Sequence, residues 1–270
     1  MQVFLIEESK KINFFKKIFT NIEKKEDKIL LNFKCKEIPL NKKIKIAKKI
    51  SKILKANNVK KIIISKDLKK DKDFINLLYS NGFDIIEGKK LFKLLINEIV
   101  EKICKKNNIK SEDARISITV NDIDNLTIKI IEDLSKKFKT VNIVTNNINY
   151  FKKIEEKLWN ENGIIITVTN NKKKALAKSD IILNIDFPEE IINKYIIYDN
   201  SILINIEERV KIKKKRFNGK IINDYKIKLK KDSNMSLYLE KEEYKNFDLE
   251  DIAEIYIINY PEEIKDIIIS

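Results

Sequence analysis

Two acidic clusters in the second half of the chain are the side chains best placed to do chemistry. Asn121, Asp122, Ile123, Asp124 and Asn125 follow a short β-branched run. Asp122 and Asp124 there form an Asp-x-Asp pair of the kind that can hold a hard cation. Asp186, Glu189 and Glu190, around Pro188, follow another such run, at the carboxyl edge where open α/β sheets take ligands. Each cluster also has a plainer reading. Asp122 or Asp124 would cap a helix N-terminus, worth about 1 kcal/mol. Pro188 suits the first position of a helix, with Glu189 and Glu190 favoured by the helix dipole. The plainer readings carry more weight, and no metal is expected.

Absent residue types exclude more than the present ones suggest. The chain has no histidine, which removes serine or cysteine hydrolases with a histidine base, HExxH metalloproteases and histidine-ligated zinc. Acid–base work would fall to Asp, Glu, Lys, Tyr or Cys. The four glycines, Gly82, Gly88, Gly163 and Gly219, leave no room for a Walker A loop or G-x-G-x-x-G. Cys35 and Cys104 stand far apart in no ligand spacing and read as ordinary half-buried thiols. The net charge of +15 rests on 56 basic residues, of which only Arg115, Arg209 and Arg216 are arginine. Because phosphate and base recognition favours arginine's planar fork, this composition argues against nucleic acid as a partner. The densest basic run, Lys211 to Arg216, reads as a solvated loop or edge strand.

The elements that must position these residues follow from periodicity. Ile116–Val120, Val141–Thr145, Ile164–Val168, Asp180–Ile185 and Ile202–Ile206 are short strand-length runs separated by helical stretches. Continuous apolar strands alternating with crossovers indicate parallel βαβ units. Earlier, Val3–Glu7 and Lys28–Phe33 read as strands, with a helix between them carrying Ile12, Phe15, Ile18 and Phe19. Asn41 is expected to cap a helix that buries Ile46, Ile50, Ile53 and Leu54. A strand over Lys60–Ser65 precedes a helix around Phe74–Tyr79, ended by Gly82 at positive φ. Apolar positions from Leu91 to Ile103 predict one long helix over Lys89–Lys106 joining two lobes, with Asn107–Ala114 as the linker. Asn218-Gly219 reads as a turn, and Leu249–Ile257 as a helix capped by Asp248 and stopped by Pro261.

From Arg115 to Ile206 the order and spacing resemble the dinucleotide-binding domain of shikimate dehydrogenases and glutamyl-tRNA reductases. Two segments carry the likeness. In VNIVTNN, Asn146 stands at that family's ribose-facing asparagine, and Asn147 where it usually has an arginine. In ALAKSDIILNIDFPEE, Ser179, Asp180 and Asn184 match the segment that ends beside the nicotinamide. The departure lies between them, where Asn121–Asn125 replace a glycine-rich turn whose bare amides must approach a pyrophosphate.

The sequence thus predicts an α/β protein of two lobes, the second a Rossmann-like, mostly parallel sheet flanked by helices. Its expected boundaries are an N-terminal α/β lobe over 1–106, a linker over 107–114, the Rossmann-like lobe over 115–207, and a C-terminal excursion with a returning helix over 208–270. The expected function is a non-catalytic binding or regulatory module without a cofactor. One alternative is an NAD- or NADP-dependent oxidoreductase of the resembled type, and another is a nucleic-acid-associated basic protein. The candidate cleft comprises Asn121, Asp122, Asp124, Asn125, Asn146, Asn147 and Asp186. The chain start, with no charged n-region before a cleavage site, and the lack of an 18-residue apolar run suggest a cytoplasmic protein away from membranes. A protein partner or a second copy is the partner class left open.

Overall fold

The computed structural model describes residues 2–7, 22–25, 28–31, 38–231, 239 and 244–269. Two compact units emerge, one of residues 1–88 and 229–265, the other of residues 89–228 and 266–270. The boundary therefore falls at Gly88–Lys89, not in 107–114. The helix around Ile12–Phe19 and Cys35 lie outside the described residues.

In the first unit, strands β1 (Gln2–Glu7), β2 (Ile22–Lys25), β3 (Lys28–Leu31), β4 (Lys61–Ile64) and β5 (Asp84–Ile85) form a sheet in the order β2-β3-β1-β4-β5. Only the β2–β3 pair is antiparallel. Helix α1 (Leu40–Ala56) buries Ile46, Ala47, Ile50 and Leu54 in a core with Ile62, Ile64 and Phe74. This is the expected stripe, with Ile53 at its half-buried margin. The helix starts one residue before Asn41. Pro39, whose ring holds φ near −68°, takes the N-cap position, and its carbonyl receives the amides of Lys42 and Lys43. Helix α2 (Lys72–Ser80) is capped by Asp71, whose Oδ1 accepts the Phe74 amide at 3.1 Å. Gly82 follows at φ +84°, a conformation costly for any side chain.

In the second unit, the expected single helix is two: α3 (Lys89–Leu94) and α4 (Ile96–Lys106), interrupted at Leu95. Residues 107–114 are no linker, because they are bonded into this unit. Asn107 Nδ2 returns to Ile103 O, Asn108 turns at φ 54°, the Ile109 amide bonds Cys104 O, and Ala114 is buried. Six strands follow: β6 (Arg115–Thr119), β7 (Thr140–Val144), β8 (Thr167–Thr169), β9 (Ile181–Asn184), β10 (Ile202–Asn205) and β11 (Lys220–Ile222). All pair in parallel in the order β11-β10-β9-β6-β7-β8. Counted from β6, that is the Rossmann order, with the direction of winding reversing between β6 and β9. Residues of β9 and β10 are buried on both faces, as a helix-covered parallel sheet requires. Crossovers α5 (Asn125–Ser135) and α6 (Ile148–Asn162) join β6 to β7 and β7 to β8, and the short α7 (Glu189–Ile192) lies between β9 and β10. Pro188 sits at the α7 N-cap position, one residue earlier than expected, leaving Glu189 and Glu190 in its first turn. Strand β8 starts later than the apolar run suggests, because Ile164 and Ile166 pack inward without pairing while Ile165 stands exposed.

Gly219 is required by close approach. A Cβ there would come within 2.0 Å of the Ser201 carbonyl oxygen. The chain then forms a two-stranded ribbon of β12 (Tyr225–Leu229) and β13 (Ile264–Ile269), the latter unanticipated beyond a 3-10 turn at Pro261–Glu263. Helix α8 (Leu249–Tyr256) belongs to the first unit. Asp248 holds its N-cap position without bonding its amides. Its carboxylate is drawn instead to Lys69 at 2.7 Å, and the buried Asp251 shares the same ammonium.

Candidate functional site

The winding reversal brings the loops after β6 and β9 side by side at the carboxyl edge of the second unit's sheet. Asp186, two residues beyond β9, turns its carboxylate onto the loop after β6. The Asn121 amide donates to its two oxygens at 2.9 and 2.8 Å, and the Asp122 amide to Oδ2 at 2.7 Å. In a dinucleotide-binding domain, bare amides at this turn receive the pyrophosphate. Here an internal anion receives them. Burial pushes the Asp186 carboxyl above the usual range, as does Asp122, while the two amides and Lys93 only partly oppose that rise.

The remaining candidates close the same edge. Asn121 accepts the Asn146 amide on its side-chain oxygen at 3.0 Å, and Thr145 Oγ1 accepts the Asn147 amide at 3.0 Å. Asn147 holds the α6 N-cap position without a side-chain cap bond. Asp124 caps α5, accepting both the amide and the hydroxyl of Thr127 at 2.7 Å, and Lys93 meets both its oxygens at 2.9 Å. Burial opposes ionisation there, but Thr127 and Lys93 outweigh it and hold the carboxyl at about 2. Asn125 is the exposed first residue of α5. Glu207, absent from the sequence-based set, joins from the end of β10. Its carboxyl is raised by burial and by Asp186, against Lys93 and Lys89. The site is thus an acidic group of three, Asp122, Asp186 and Glu207, facing Lys93 and Lys89. Among the described residues no group of three or more acidic, cysteine or histidine side chains could hold a metal ion.

Beneath this edge runs a ladder of side-chain hydrogen bonds across four strands. Thr119 Oγ1 donates to Asn184 Oδ1 at 2.5 Å, Asn184 Nδ2 to Asn205 Oδ1 at 2.9 Å, and Asn205 Nδ2 to Asn223 Oδ1 at 2.8 Å. Asn184 also bonds both backbone groups of Phe187, at 2.9 and 3.0 Å, which fixes the turn carrying Asp186. Asn205 and Asn223 were missed by sequence reasoning, although a signal exists. Strands β9 and β10 each end in an asparagine with an acid two residues on, Asn184 with Asp186 and Asn205 with Glu207, and β11 is followed directly by Asn223 and Asp224. Two further residues of the family-like segment also have structural partners. Ser179 Oγ lies 2.6 Å from Ser117 Oγ, and Asp180 accepts the Arg115 amide at 2.8 Å.

A concavity of about 560 Å³ lies at the opposite edge of this sheet, where Ile109, Ser111 and Glu112 precede β6 and Leu134 and Phe138 precede β7. Cys104 lines it as a free, buried thiol whose pKa is raised by burial and by Glu101. A raised pKa lowers the thiolate fraction at neutral pH.

No protein-family model matches the chain, and no curated protein matches it in sequence. Among solved structures, L-tryptophan dehydrogenase from Nostoc punctiforme aligns at 8% identity and a TM-score of 0.34, over 66% of this chain and 50% of that one. Ornithine carbamoyltransferase from Pyrococcus furiosus aligns at 11% identity and 0.31, over 82% and 74%. Rhodotorula graminis D-mandelate dehydrogenase aligns at 8% and 0.32, over 76% and 72%. The chain thus spans half the length of the tryptophan dehydrogenase. These likenesses carry no argument about activity. The Rossmann-like α/β fold rests on the strand order itself.

Proposed function

We propose that the chain is a non-catalytic binding or regulatory module whose Rossmann-like unit takes no dinucleotide at its winding reversal. The observation supporting this is the Asp186 carboxylate seated on the amides of Asn121 and Asp122. An incoming pyrophosphate would have to displace that carboxylate and then meet the electrostatic repulsion of Asp122 and Glu207. The neighbouring backbone amides of Asn146 and Asn147 are likewise bonded by side chains of the same edge.

A thermal-shift titration with NAD, NADP, ATP and S-adenosylmethionine tests the reading. A ligand at a hundredfold its Kd adds about 2.7 kcal/mol of stability to the state it binds, roughly 5–10 °C in Tm for a chain of this size. The expected result is no saturable shift with any of the four at millimolar concentration. A saturable rise with NAD or NADP would overturn the proposal in favour of the oxidoreductase alternative.

A further inference from the structure

Against the expectation drawn from the scarcity of arginine, we infer that the outer face of α1, in the first unit, docks on the phosphate rims of double-stranded DNA without reading its sequence. Between Glu37 and Asp67 the chain contains ten lysines and no acidic residue. The chain as a whole has 41 acids to 56 bases, so a lysine-rich composition alone would have placed acids among them. Lys43 is turned inward and neutralised by Asp71 at 2.6 Å, with Asp73 at 3.9 Å. Lys42, Lys45, Lys48, Lys49, Lys52 and Lys55 are exposed, and none forms an ion pair with a described residue.

Other lysine-rich stretches are built differently. On α6, Lys152 pairs with Glu155 and Lys157 with Glu161. In the run Lys211–Arg216, denser in sequence, Lys213 meets Glu189 at 3.0 Å and Lys214 meets Asp199 at 2.6 Å. On the α1 face none of the six exposed lysines pairs with a described residue, whereas each of the other two stretches has two of its cations held by carboxylates.

Geometry narrows the polyanion. At about 100° per residue, the six lysines fan over about 140° of a helix about 25 Å long, with Lys42 and Lys49 on one flank and Lys48 and Lys55 on the other. A helix exposed through that arc fits the B-DNA major groove, about 12 Å wide, with its flanks at the two phosphate rims. The deep, narrow major groove of duplex RNA would exclude it. Single-strand binding relies on stacked aromatic side chains, and the exposed face of α1 has none. Membrane insertion needs a free apolar face, whereas Ile46, Ile50 and Leu54 are already buried in the first unit's core. Lysine in place of arginine predicts attraction to phosphate without base discrimination.

The test is fluorescence anisotropy of the full chain with a labelled 24-base-pair DNA, from 0.05 to 0.3 M NaCl. Two variants of equal charge are compared: K45Q/K48Q/K49Q/K52Q on α1, and K136Q/K153Q/K173Q/K178Q on exposed positions of the second unit. Six phosphate contacts give a slope of log K against log salt of about −5, and removing four flattens it by about 3–4. The α1 variant should lose about a hundredfold or more in affinity at 0.1 M salt, and the second variant less than about threefold. Equal losses in the two variants, or no wild-type binding at 0.1 M salt, overturn the inference. So does binding to duplex RNA, to phosphatidylserine vesicles or to polyglutamate at least as tight as to DNA.

Discussion

Replacing Asp186 by alanine removes the side chain that, among the described residues, bonds the amides of Asn121 and Asp122, and the cost can be worked from the geometry. Two donors lose a charged acceptor at 2.7–2.9 Å. A hydrogen bond to a charged group contributes about 1.5–3 kcal/mol, so about 3–6 kcal/mol is the ceiling. Two effects reduce it. The site is only half-buried, so water can take up the released amides, and the variant no longer has to bury a carboxylate whose pKa is already raised. A net loss of about 2 kcal/mol remains, or about 4–8 °C in Tm. Asp186→Asn should lose about half as much, because both amides converge on Oδ2 and an amide oxygen placed there still accepts them.

The decisive assay adds inorganic phosphate. In Asp186→Ala the vacated amides, beside Lys93 and Lys89, become an anion site, so phosphate should raise Tm saturably in the variant and leave the wild type unchanged. An alanine variant that melts within a degree of the wild type and ignores phosphate would refute the claim that Asp186 fills the loop.

Two further substitutions probe the two units separately. Gly219→Ala forces a Cβ to 2.0 Å from the Ser201 carbonyl. The backbone must yield, costing about 1–3 kcal/mol, read as a lower denaturation midpoint; an unchanged midpoint would mean the two segments separate freely. In the first unit, burial pushes Asp251 up to about 7 despite Lys69. A carboxyl whose folded pKa is raised gives stability that is fully present below the unfolded value near 4 and lost as pH rises through 7. Asp251→Asn should therefore gain on the wild type by up to about 4 kcal/mol between pH 4 and pH 8; parallel Tm profiles across that range would refute the assignment.

The strands were legible because runs such as Ile181–Asn184 and Ile202–Asn205 are buried on both faces and leave no other apolar pattern. Strand β11 was not, since Lys220–Ile222 has the look of the basic stretch before it. The division between units was misplaced for a similar reason. Apolar spacing runs unbroken from Leu91 to Ile103, so periodicity alone reads α3 and α4 as one connector. Asn107–Ala114, polar and linker-like in composition, uses its amides and side chains to close α4 onto the same unit. That Asn121 and Asp122 meet Asp186 at one sheet edge follows from the strand order the resemblance implied. Their partnership was beyond reach, since nothing in a linear spacing of more than sixty residues says that one carboxylate will face two amides.

That partnership has a thermodynamic consequence for any ligand. The carboxyl edge of a parallel sheet ends in backbone donors that must be satisfied, and Rossmann enzymes leave this to the pyrophosphate. Here Asn184 bonds both backbone groups of Phe187 and so holds Asp186 in place. The acceptor is therefore preorganised on its own chain. An anion binding at Asn121 and Asp122 needs the form in which Asp186 has let go. If the closed form is favoured by about 2 kcal/mol, the open form is populated at only a few per cent. Apparent affinity then falls by about thirtyfold, before Asp122 and Glu207 add their repulsion. Asp186→Ala removes the first penalty and leaves the second, so the phosphate response of that variant measures the open loop directly.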